Sequence, residues 1–371
     1  MTPRLDVEVS TGYFDYKSHN LTAASISKPM LWIRTVAGPA VGFGHLRRSL
    51  ILSRMLRDHL TPLFLCDAAD RWTEAQASTN HWKSLPFEVA GLWEEMLVPA
   101  GLLIDTRDDH GLLQLISEAR ARAVPVISIH DLGLNPLPSD LIIDGSVLPV
   151  AQDIPWHDTE SYYGPSYMIL DPSFADLHRK KKILRHRISA VLINLGGGES
   201  RQYFRKVLQG LRSWGHQLDV TGIPGFTDWG QRKWAERDWS PLNFRWAGHS
   251  ERVDKLLSRA DLAITAGGLS AYEALCAGTP LLAASIDEFQ QVTVTNLARA
   301  GACIDLGPAG LLQTGQIAGV LSGLEADPAL RHDLSLRGRQ IVDGRGAERV
   351  ARLIHRFLRH RSERTHRMTV S

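Results

Sequence analysis

The sequence predicts an α/β protein built from two doubly wound, Rossmann-like domains that face a central cleft. Two runs of apolar strands alternating with amphipathic helices indicate this, one from residue 30 to residue 144 and one from residue 190 to residue 306. Glycine turns follow strands in both runs. Such alternation is typical of parallel sheets, whose ligands bind beyond the carboxyl ends of the strands. The length of 371 residues also favours two cores over one.

Local composition predicts where the domains begin and end. Residues 1–28 contain three acidic residues and no apolar block, so we expect a loosely ordered extension rather than a signal peptide. Four prolines interrupt the pattern between residues 145 and 175, and they close an N-terminal domain of residues 29–175. A C-terminal, nucleotide-binding domain covers residues 176–345. A helix with a basic tail covers residues 346–371.

The individual elements follow from apolar runs and helical spacing. The N-terminal half is predicted to contain strands at residues 30–34, 62–66, 101–105, 125–129 and 140–144, with helices at 46–56 and 112–123. The C-terminal half is predicted to contain strands at residues 190–195, 217–221, 261–265, 281–285 and 302–306. Its helices are predicted at 203–214, 252–259 and 297–300, and between Gly268 and Gly278.

Charge and cysteine usage exclude several classes of function. The 42 Lys and Arg residues nearly balance 40 Asp and Glu residues, so no nucleic-acid partner is expected. Cys66, Cys276 and Cys303 are far apart, which indicates neither a metal site nor a disulfide framework and favours a cytoplasmic location. No apolar run approaches the ~20 residues needed to cross a bilayer.

Motif spacing excludes further classes. Gly42-Phe-Gly44 has Arg47 where a dinucleotide fingerprint requires its third glycine, so we expect no nicotinamide cofactor and assign no cofactor at all. Neither a P-loop nor the G-x-S-x-G motif of serine hydrolases occurs. Asp108-Asp-His110 follows a predicted strand, but this isolated trio is typical of a charged helix start, and we assign no metal.

Two composition features leave alternatives open. The basic run from His178 to Arg187 is either a solvated face or a weak contact for anionic membranes or phosphate. Five tryptophans between residues 214 and 246 form either part of a core, which we favour, or an acceptor platform; they are Trp214, Trp229, Trp234, Trp239 and Trp246.

The stretch from Ala266 to Glu273 predicts a phosphate-binding turn. Gly267 and Gly268 follow a buried strand and precede a helix, whose free N–H groups and positive dipole end favour an anion. Ser270 and Glu273 fit a capping box at that helix start. Glu273 therefore either caps the helix or accepts hydrogen bonds from a ligand. The glycines 196–198 likewise either contact a phosphate or make a tight turn.

His45 is the candidate catalytic residue. It lies between the glycine turn at Gly42 and Gly44 and a predicted helix, where its ring can reach the cleft and take a proton near neutral pH. Asp105, at the end of a predicted strand, either orients an imidazole or sugar hydroxyl or caps the following helix.

Six motifs in the same order resemble those of the nucleotide-sugar hydrolases of pseudaminic acid biosynthesis and of related spore-coat polysaccharide proteins. The match spans roughly residues 30 to 355 and consists of Gly42-Phe-Gly-His-Leu-Arg47, Gly164-Pro-Ser-Tyr-Met-Ile-Leu170, Leu192-Ile-Asn-Leu-Gly-Gly-Gly198, Ala266-Gly-Gly-Leu-Ser-Ala-Tyr-Glu273 with Gly278-Thr-Pro280, Gln290-Gln291 and Asp343-Gly-Arg-Gly-Ala-Glu-Arg349. The fourth motif is similar to the nucleotide-binding stretch of the N-acetylglucosaminyl transferase of peptidoglycan synthesis.

The resemblance implies a GT-B fold, a UDP-sugar substrate, no metal, and cleavage of the anomeric C–O bond with release of UDP. It implies that His45 is the general base or a sugar contact and that Glu273 holds the ribose. Residues 248–253 would contact the nucleobase. The implied nucleotide- and sugar-binding set is Gly42, Gly44, Gly196, Gly197, Gly198, Gly267, Gly268, Leu269, Ser270, Glu273, Gln290 and Gln291.

The chain departs from these hydrolases mainly on the sugar and acceptor side. Asp105-Thr-Arg-Asp108 stands where they carry an aspartate followed closely by a tyrosine, and Phe289 is nearest to the place of their usual asparagine. Three functions therefore remain open from sequence: hydrolysis of a UDP-sugar, transfer of the sugar to another acceptor by an inverting enzyme, and nucleotide-sugar binding without catalysis. The sugar and the oligomeric state stay undetermined.

Overall fold

The computed structural model describes residues 28–38, 42–67, 81–85, 92–95, 97–106, 111–132, 137–147, 159–196, 201–225, 239–248 and 251–370. Two parallel sheets organise them. The first has the strand order β3-β2-β1-β4-β5-β6-β7, and the second has the order β10-β9-β8-β11-β12-β13. The prediction of two doubly wound α/β units is therefore confirmed.

The first sheet is formed by β1 (Met30–Thr35), β2 (Thr61–Asp67), β3 (His81–Leu85), β4 (Gly101–Asp105), β5 (Val126–His130), β6 (Leu141–Asp144) and β7 (Glu160–Tyr163). Its helices are α1 (Gly44–Leu56), α2 (Leu92–Glu95) and α3 (Leu112–Ala121). A 3-10 turn (Pro165–Tyr167) and α4 (Ser173–His178) follow and lead to the second sheet.

The second sheet is formed by β8 (Ala190–Asn194), β9 (Leu218–Gly222), β10 (Leu242–Trp246), β11 (Leu262–Ala266), β12 (Leu281–Ser285) and β13 (Ile304–Pro308). Its helices are α5 (Arg201–Ser213), α6 (Val253–Arg259), α7 (Leu269–Ala277), α8 (Glu288–Arg299), α9 (Thr314–Ala326) and α10 (Pro328–Ile341). The chain closes with α11 (Gly346–Val370).

The central strands are apolar because both faces of each sheet are covered. All six residues of β1 are buried. Leu31 and Ile33 pack into one apolar cluster, while Met30 and Trp32 pack into another. Successive side chains of a strand point to opposite faces, so each cluster covers one face of the sheet. The continuous apolar runs in the sequence thus reflect parallel strands buried on both sides.

The three strands that the sequence did not predict are all at sheet edges. They are β3, β7 and β10. The sequence of β7 is Glu-Ser-Tyr-Tyr, and none of its residues is fully buried. An edge strand packs against a single neighbour and needs no continuous apolar run, so the pattern that reveals a central strand is missing.

The helix α8 is longer than predicted. It begins at Glu288 rather than near Leu297, and Asp287 caps it by accepting a hydrogen bond from the Gln290 backbone N–H. The sequence prediction started this helix at residue 297 and did not use Asp287, although aspartate is one of the preferred residues at the N-cap of a helix.

Both sheets reverse their strand order next to their first strand, at β1/β4 and at β8/β11. The loops beyond the carboxyl ends diverge at such a reversal and leave a crevice. The terminal helix α11 packs back on the first half, since Val350 and Ile354 share an apolar cluster with Leu46 of α1. Across the described helices, none combines the length and apolar composition that a bilayer crossing requires.

Candidate functional site

The loop before α1 is a glycine turn. The backbones of Gly38 and Gly42 exchange two hydrogen bonds of 3.0 and 2.7 Å, and Gly42 has a φ of +76°. That backbone region strongly favours glycine. The turn brings the chain directly into α1, which starts at Gly44 without a side-chain cap.

His45 and Asp105 meet beyond the carboxyl end of the first sheet. Asp105 is the last residue of β4, and its side chain is fully buried. His45 lies in the first turn of α1, and its Nδ1 is 2.8 Å from Asp105 Oδ1. Asp105 therefore orients an imidazole, and the alternative that it caps the next helix is wrong, because α3 has Gly111 at that position.

Arg48 ties this pair to a second aspartate. Its Nε lies 2.8 Å from Asp105 Oδ2, and its Nη1 lies 2.7 Å from Asp131 Oδ1. Ser49 also donates to Asp105 over 3.2 Å. Burial raises the pKa of Asp105, but the charge of Arg48 and the hydrogen bond from His45 outweigh it, so the pKa lies below its usual value. Asp105 is thus ionised at neutral pH.

The neighbours of His45 determine its tautomer. Nδ1 faces both Asp105 Oδ1 at 2.8 Å and Arg48 Nη2 at 3.0 Å. An ionised carboxylate accepts only and a guanidinium donates only. The ionised Asp105 therefore places the proton on Nδ1, and the contact with Arg48 is not a hydrogen bond in that state. Nε2 keeps its lone pair, and among the described residues none hydrogen-bonds it.

In the second half, the glycine turn leads into α7 as predicted, but the capping box is wrong. Gly268 is the residue before the helix, and no side chain caps it. Ser270 lies inside the helix and donates to the Ala266 carbonyl at 3.4 Å. A capping serine must precede the helix with an extended backbone. The serine of the S-x-x-E spacing therefore lies two residues beyond the position that a capping box requires.

The two glycines of this turn differ in their surroundings. A side-chain carbon on Gly267 would lie 2.6 Å from Val294 and 2.7 Å from the Gln290 backbone oxygen, whereas one on Gly268 would meet nothing within 4 Å. Close packing therefore requires glycine at position 267. The packing does not require it at position 268, where the backbone is open to an approaching group.

The predicted glutamines are bonded within the protein. Gln290 Oε1 accepts from the Gly267 N–H at 3.0 Å, so the N–H predicted to hold phosphate already has a partner. Gln291 accepts from Ser285 and donates to Thr295 and Asp305. A contact of either side chain with a sugar or phosphate stays a prediction.

Glu273 contacts the first half of the chain. Its carboxylate is buried, and its Oε1 lies 2.7 Å from Arg47 Nη2 of α1. The geometry is that of an ion pair, because neither carboxylate oxygen has an aligned hydrogen bond among the described residues. Burial raises the pKa of Glu273, and Arg47 offsets this only in part. A second link joins the halves nearby, where Tyr272 Oη accepts from the Val147 N–H at 3.1 Å.

The remaining predicted residues are placed as follows. Gly196 has a φ of +86° and donates to Asn194 Oδ1, which is the geometry of a tight turn. Gly197 and Gly198, the trio Asp108 to His110, Trp229, Trp234 and the extension before Lys28 all lie outside the described residues. Gly248 donates to Glu251 over 2.7 Å, so this part of the predicted base-binding segment is held by its own neighbour.

The basic run is mostly exposed, but Lys182 is partly buried and bonded within the protein. Lys182 donates to the carbonyls of Leu257 and Ala260 at 2.8 and 2.7 Å, at the end of α6. Burial lowers the pKa of this ammonium to about 8. Lys182 therefore stabilises a helix end, while membrane contact by the rest of the run stays a prediction.

Three of the five clustered tryptophans lie among the described residues. Trp239 belongs to an apolar core cluster of the second half, and Trp214 and Trp246 pack against that cluster.

Sequence reasoning missed three charged residues of the site. They are Arg47, Arg48 and Asp131. A signal for Asp131 was present, since it directly follows β5 just as Asp105 ends β4, and neighbouring parallel strands end at the same edge. The two arginines lie between apolar positions of α1. In the sequence, arginines at such positions look the same whether they face solvent or a binding site.

Comparisons with known proteins agree with this architecture. A. baumannii MurG has a TM-score of 0.63 at 13% identity, covering 88% of this chain and all of MurG. The fold is GT-B. S. aureus MnaA, solved with UDP, has a TM-score of 0.61 at 14% identity, covering 89% and 97% of the two chains. The spinosyn rhamnosyltransferase SpnG, solved with thymidine diphosphate, has a TM-score of 0.60 at 17% identity, covering 87% and 99%.

The sequence comparison adds a relative. The spore coat polysaccharide biosynthesis protein SpsG of Bacillus subtilis (strain 168) is 31% identical over 199 residues, which are 53% of this chain and 58% of SpsG. The chain is thus homologous to SpsG over little more than half of that protein's length. No protein-family model matches the chain.

Proposed function

We propose that this protein transfers a sugar from a UDP-sugar to a hydroxyl acceptor and releases UDP. The observation that carries the proposal is the His45–Asp105 pair, because it leaves Nε2 of a nearly buried imidazole with a free lone pair. A neutral imidazole with one ring nitrogen free in this way can act as a general base. Its place, beyond the carboxyl end of a parallel sheet, is where ligands of such sheets bind.

The reaction is a single displacement. The acceptor oxygen bonds to the anomeric carbon, and its proton passes to His45 Nε2. The bond between the anomeric carbon and the diphosphate oxygen breaks, and its electron pair stays on the diphosphate. Asp105 stabilises the imidazolium that forms, as the aspartate of a catalytic triad does. One displacement inverts the configuration at the anomeric carbon.

The nucleotide part of the proposal rests on α7. The first N–H groups of a helix lack intrahelical acceptors and favour anions, and Gly268 leaves the backbone open there. Glu273 would accept hydrogen bonds from the ribose. The structural neighbours solved with UDP and with thymidine diphosphate support a nucleoside-diphosphate ligand for this fold.

Water is the second acceptor that we propose, which would make the protein a nucleotide-sugar hydrolase. The motif resemblance favours water, whereas the solved neighbours include glycosyltransferases. Both acceptors need the same base. Incubation with single UDP-sugars in H₂¹⁸O, without another acceptor, separates them. Hydrolysis predicts rapid UDP release and ¹⁸O at the anomeric hydroxyl, whereas transfer predicts slow release that a hydroxyl acceptor accelerates.

The same assay tests the proposal as a whole. We expect UDP to bind in calorimetry and at least one UDP-sugar to be consumed. A protein that binds UDP-sugars without consuming any of them, with or without acceptors, would be a binding protein and would contradict the catalytic part. A protein that binds neither UDP nor UDP-sugars would contradict the proposal entirely.

A further inference from the structure

The ion pair between Arg47 and Glu273 joins the helix of the proposed base to the helix of the proposed nucleotide site. Arg47 lies two residues after His45 in the first turn of α1, and Glu273 lies in α7. The two side chains approach to 2.7 Å, with Arg47 40% exposed and Glu273 1% exposed. A buried carboxylate of one half is therefore paired with a partly exposed cation of the other.

The pair leaves Glu273 incompletely satisfied. Neither of its oxygens has an aligned hydrogen bond in the described part of the chain, and an unsatisfied buried carboxylate is costly. A ligand with two adjacent hydroxyl groups would satisfy the carboxylate better than the single guanidinium nitrogen does. Arg47 is therefore an exchangeable partner of Glu273.

The position of Glu273 on α7 determines where the Arg47 guanidinium lies relative to the proposed diphosphate site. Side chains on an α-helix lean toward its N-terminus and cover the preceding turn. Glu273 is three residues after Ser270 and four after Leu269, so its carboxylate leans over the first turn of α7. The guanidinium paired with it lies at the end of the helix where a diphosphate is expected.

Arg47 is also the better placed of the two neighbouring arginines. Arg48 is buried and bonded to both Asp105 and Asp131. Its release would leave two carboxylates without their cation. Arg47 has Glu273 as its ion-pair partner, and its side chain is partly exposed.

We propose that Arg47 is the residue that neutralises the departing diphosphate. This inference rests on the proposed function. In this structure Glu273 pairs with Arg47; when the nucleotide binds, the ribose hydroxyls take over the carboxylate and Arg47 turns to the diphosphate. When the anomeric C–O bond breaks and its electron pair moves to the diphosphate oxygen, the guanidinium stabilises the added charge. Nucleotide binding would thereby place the Arg47 guanidinium next to the proposed general base, His45.

Calorimetric titrations of Arg47→Ala with uridine, UMP and UDP test this inference. We expect UDP affinity to fall roughly 10- to 100-fold, the scale of a charge-assisted contact. Uridine affinity should stay the same or rise, because Arg47 no longer competes for Glu273. Arg47→Lys should restore part of the UDP affinity. Arg54→Ala, which removes a more exposed arginine of the same helix, should leave all three affinities unchanged.

The outcomes separate this inference from the proposed function. If wild-type protein binds UDP and Arg47→Ala weakens uridine and UDP by the same factor, or weakens neither, the inference is wrong and the proposed function stands. If wild-type protein binds neither uridine nor UDP, both are wrong. Should Arg47→Ala fold poorly, Arg47→Gln keeps a neutral donor near Glu273 and must show the same loss for UDP relative to uridine.

Discussion

Nδ1 of His45 lies 2.8 Å from Oδ1 of Asp105, and the two residues are 60 positions apart in the chain. The contact forms because α1 begins directly above the carboxyl end of β4, whose register with β1 places Asp105 beside Thr35. It fixes one imidazole nitrogen as a donor and leaves the other as a base. The proposed chemistry depends on this division of roles.

Asp105→Asn tests the orienting role. The amide loses the charge that holds Nδ1–H and stabilises the imidazolium, so we expect kcat to fall by roughly 10²- to 10⁴-fold, the scale of general-base catalysis, with a small change in KM. The pH dependence of kcat should shift as well. A stable variant with unchanged kcat and an unchanged pH profile would show that Asp105 is structural.

The same substitution tests the depressed pKa of Asp105. A carboxyl group whose pKa is lower in the folded state stabilises the fold at any pH above the pKa of the unfolded state, here 3.8. That contribution is lost as the pH falls through the lower pKa of the folded state. The stability gap between wild type and Asp105→Asn should therefore narrow as pH falls below 3.8. Urea unfolding at several pH values measures it, and a gap independent of pH would contradict the assignment.

Glu273→Gln should separate binding from stability. Burial raises the pKa of Glu273 above 4.5, so its contribution to stability decreases as pH rises from that value through the folded pKa. At neutral pH we expect the variant to melt at the same temperature as wild type or higher. If Glu273 holds the ribose, UDP binding should weaken by about 1 to 3 kcal/mol. A lower melting temperature with unchanged UDP affinity would indicate a purely structural residue.

The paired glycines offer a matched comparison. In Gly267→Ala the new carbon would meet Val294 and the Gln290 backbone at under 3 Å, so we expect a loss of about 1 to 3 kcal/mol in stability. In Gly268→Ala the carbon has free space, so stability should not change. UDP affinity of Gly268→Ala should nevertheless fall about tenfold, or 1.4 kcal/mol, because the methyl group would stand where the diphosphate approaches. Full UDP affinity in Gly268→Ala would place the nucleotide elsewhere.

The sequence could predict what depends on local pattern. Central strands such as β1 and β11 are recognisable because both of their faces are buried, while β7 lacks that pattern at its sheet edge. His45 and Asp105 were each predicted as candidates, because a histidine after a glycine turn and an aspartate ending a strand are local signals.

The rest of the site could not be predicted because it depends on the relative positions of distant segments. Arg47 and Glu273 lie in different halves and are 226 positions apart in sequence (273 minus 47). No local sequence pattern indicates that they pair. The predicted capping box failed for a local reason, because the helix already begins at Leu269 and Ser270 lies inside it. The S-x-x-E spacing also describes one helix end only, whereas the ion-pair partner of Glu273 comes from the other half of the chain.

The most direct test of the central claim is the rate of UDP release by His45→Ala, compared with wild type and with His59→Ala. His59 is an exposed histidine just beyond the same helix, so its removal controls for the loss of an imidazole. We predict that His45→Ala releases UDP roughly 10²- to 10⁴-fold more slowly while its UDP affinity stays near that of wild type, and that His59→Ala keeps its activity. Undiminished turnover in His45→Ala would contradict the account.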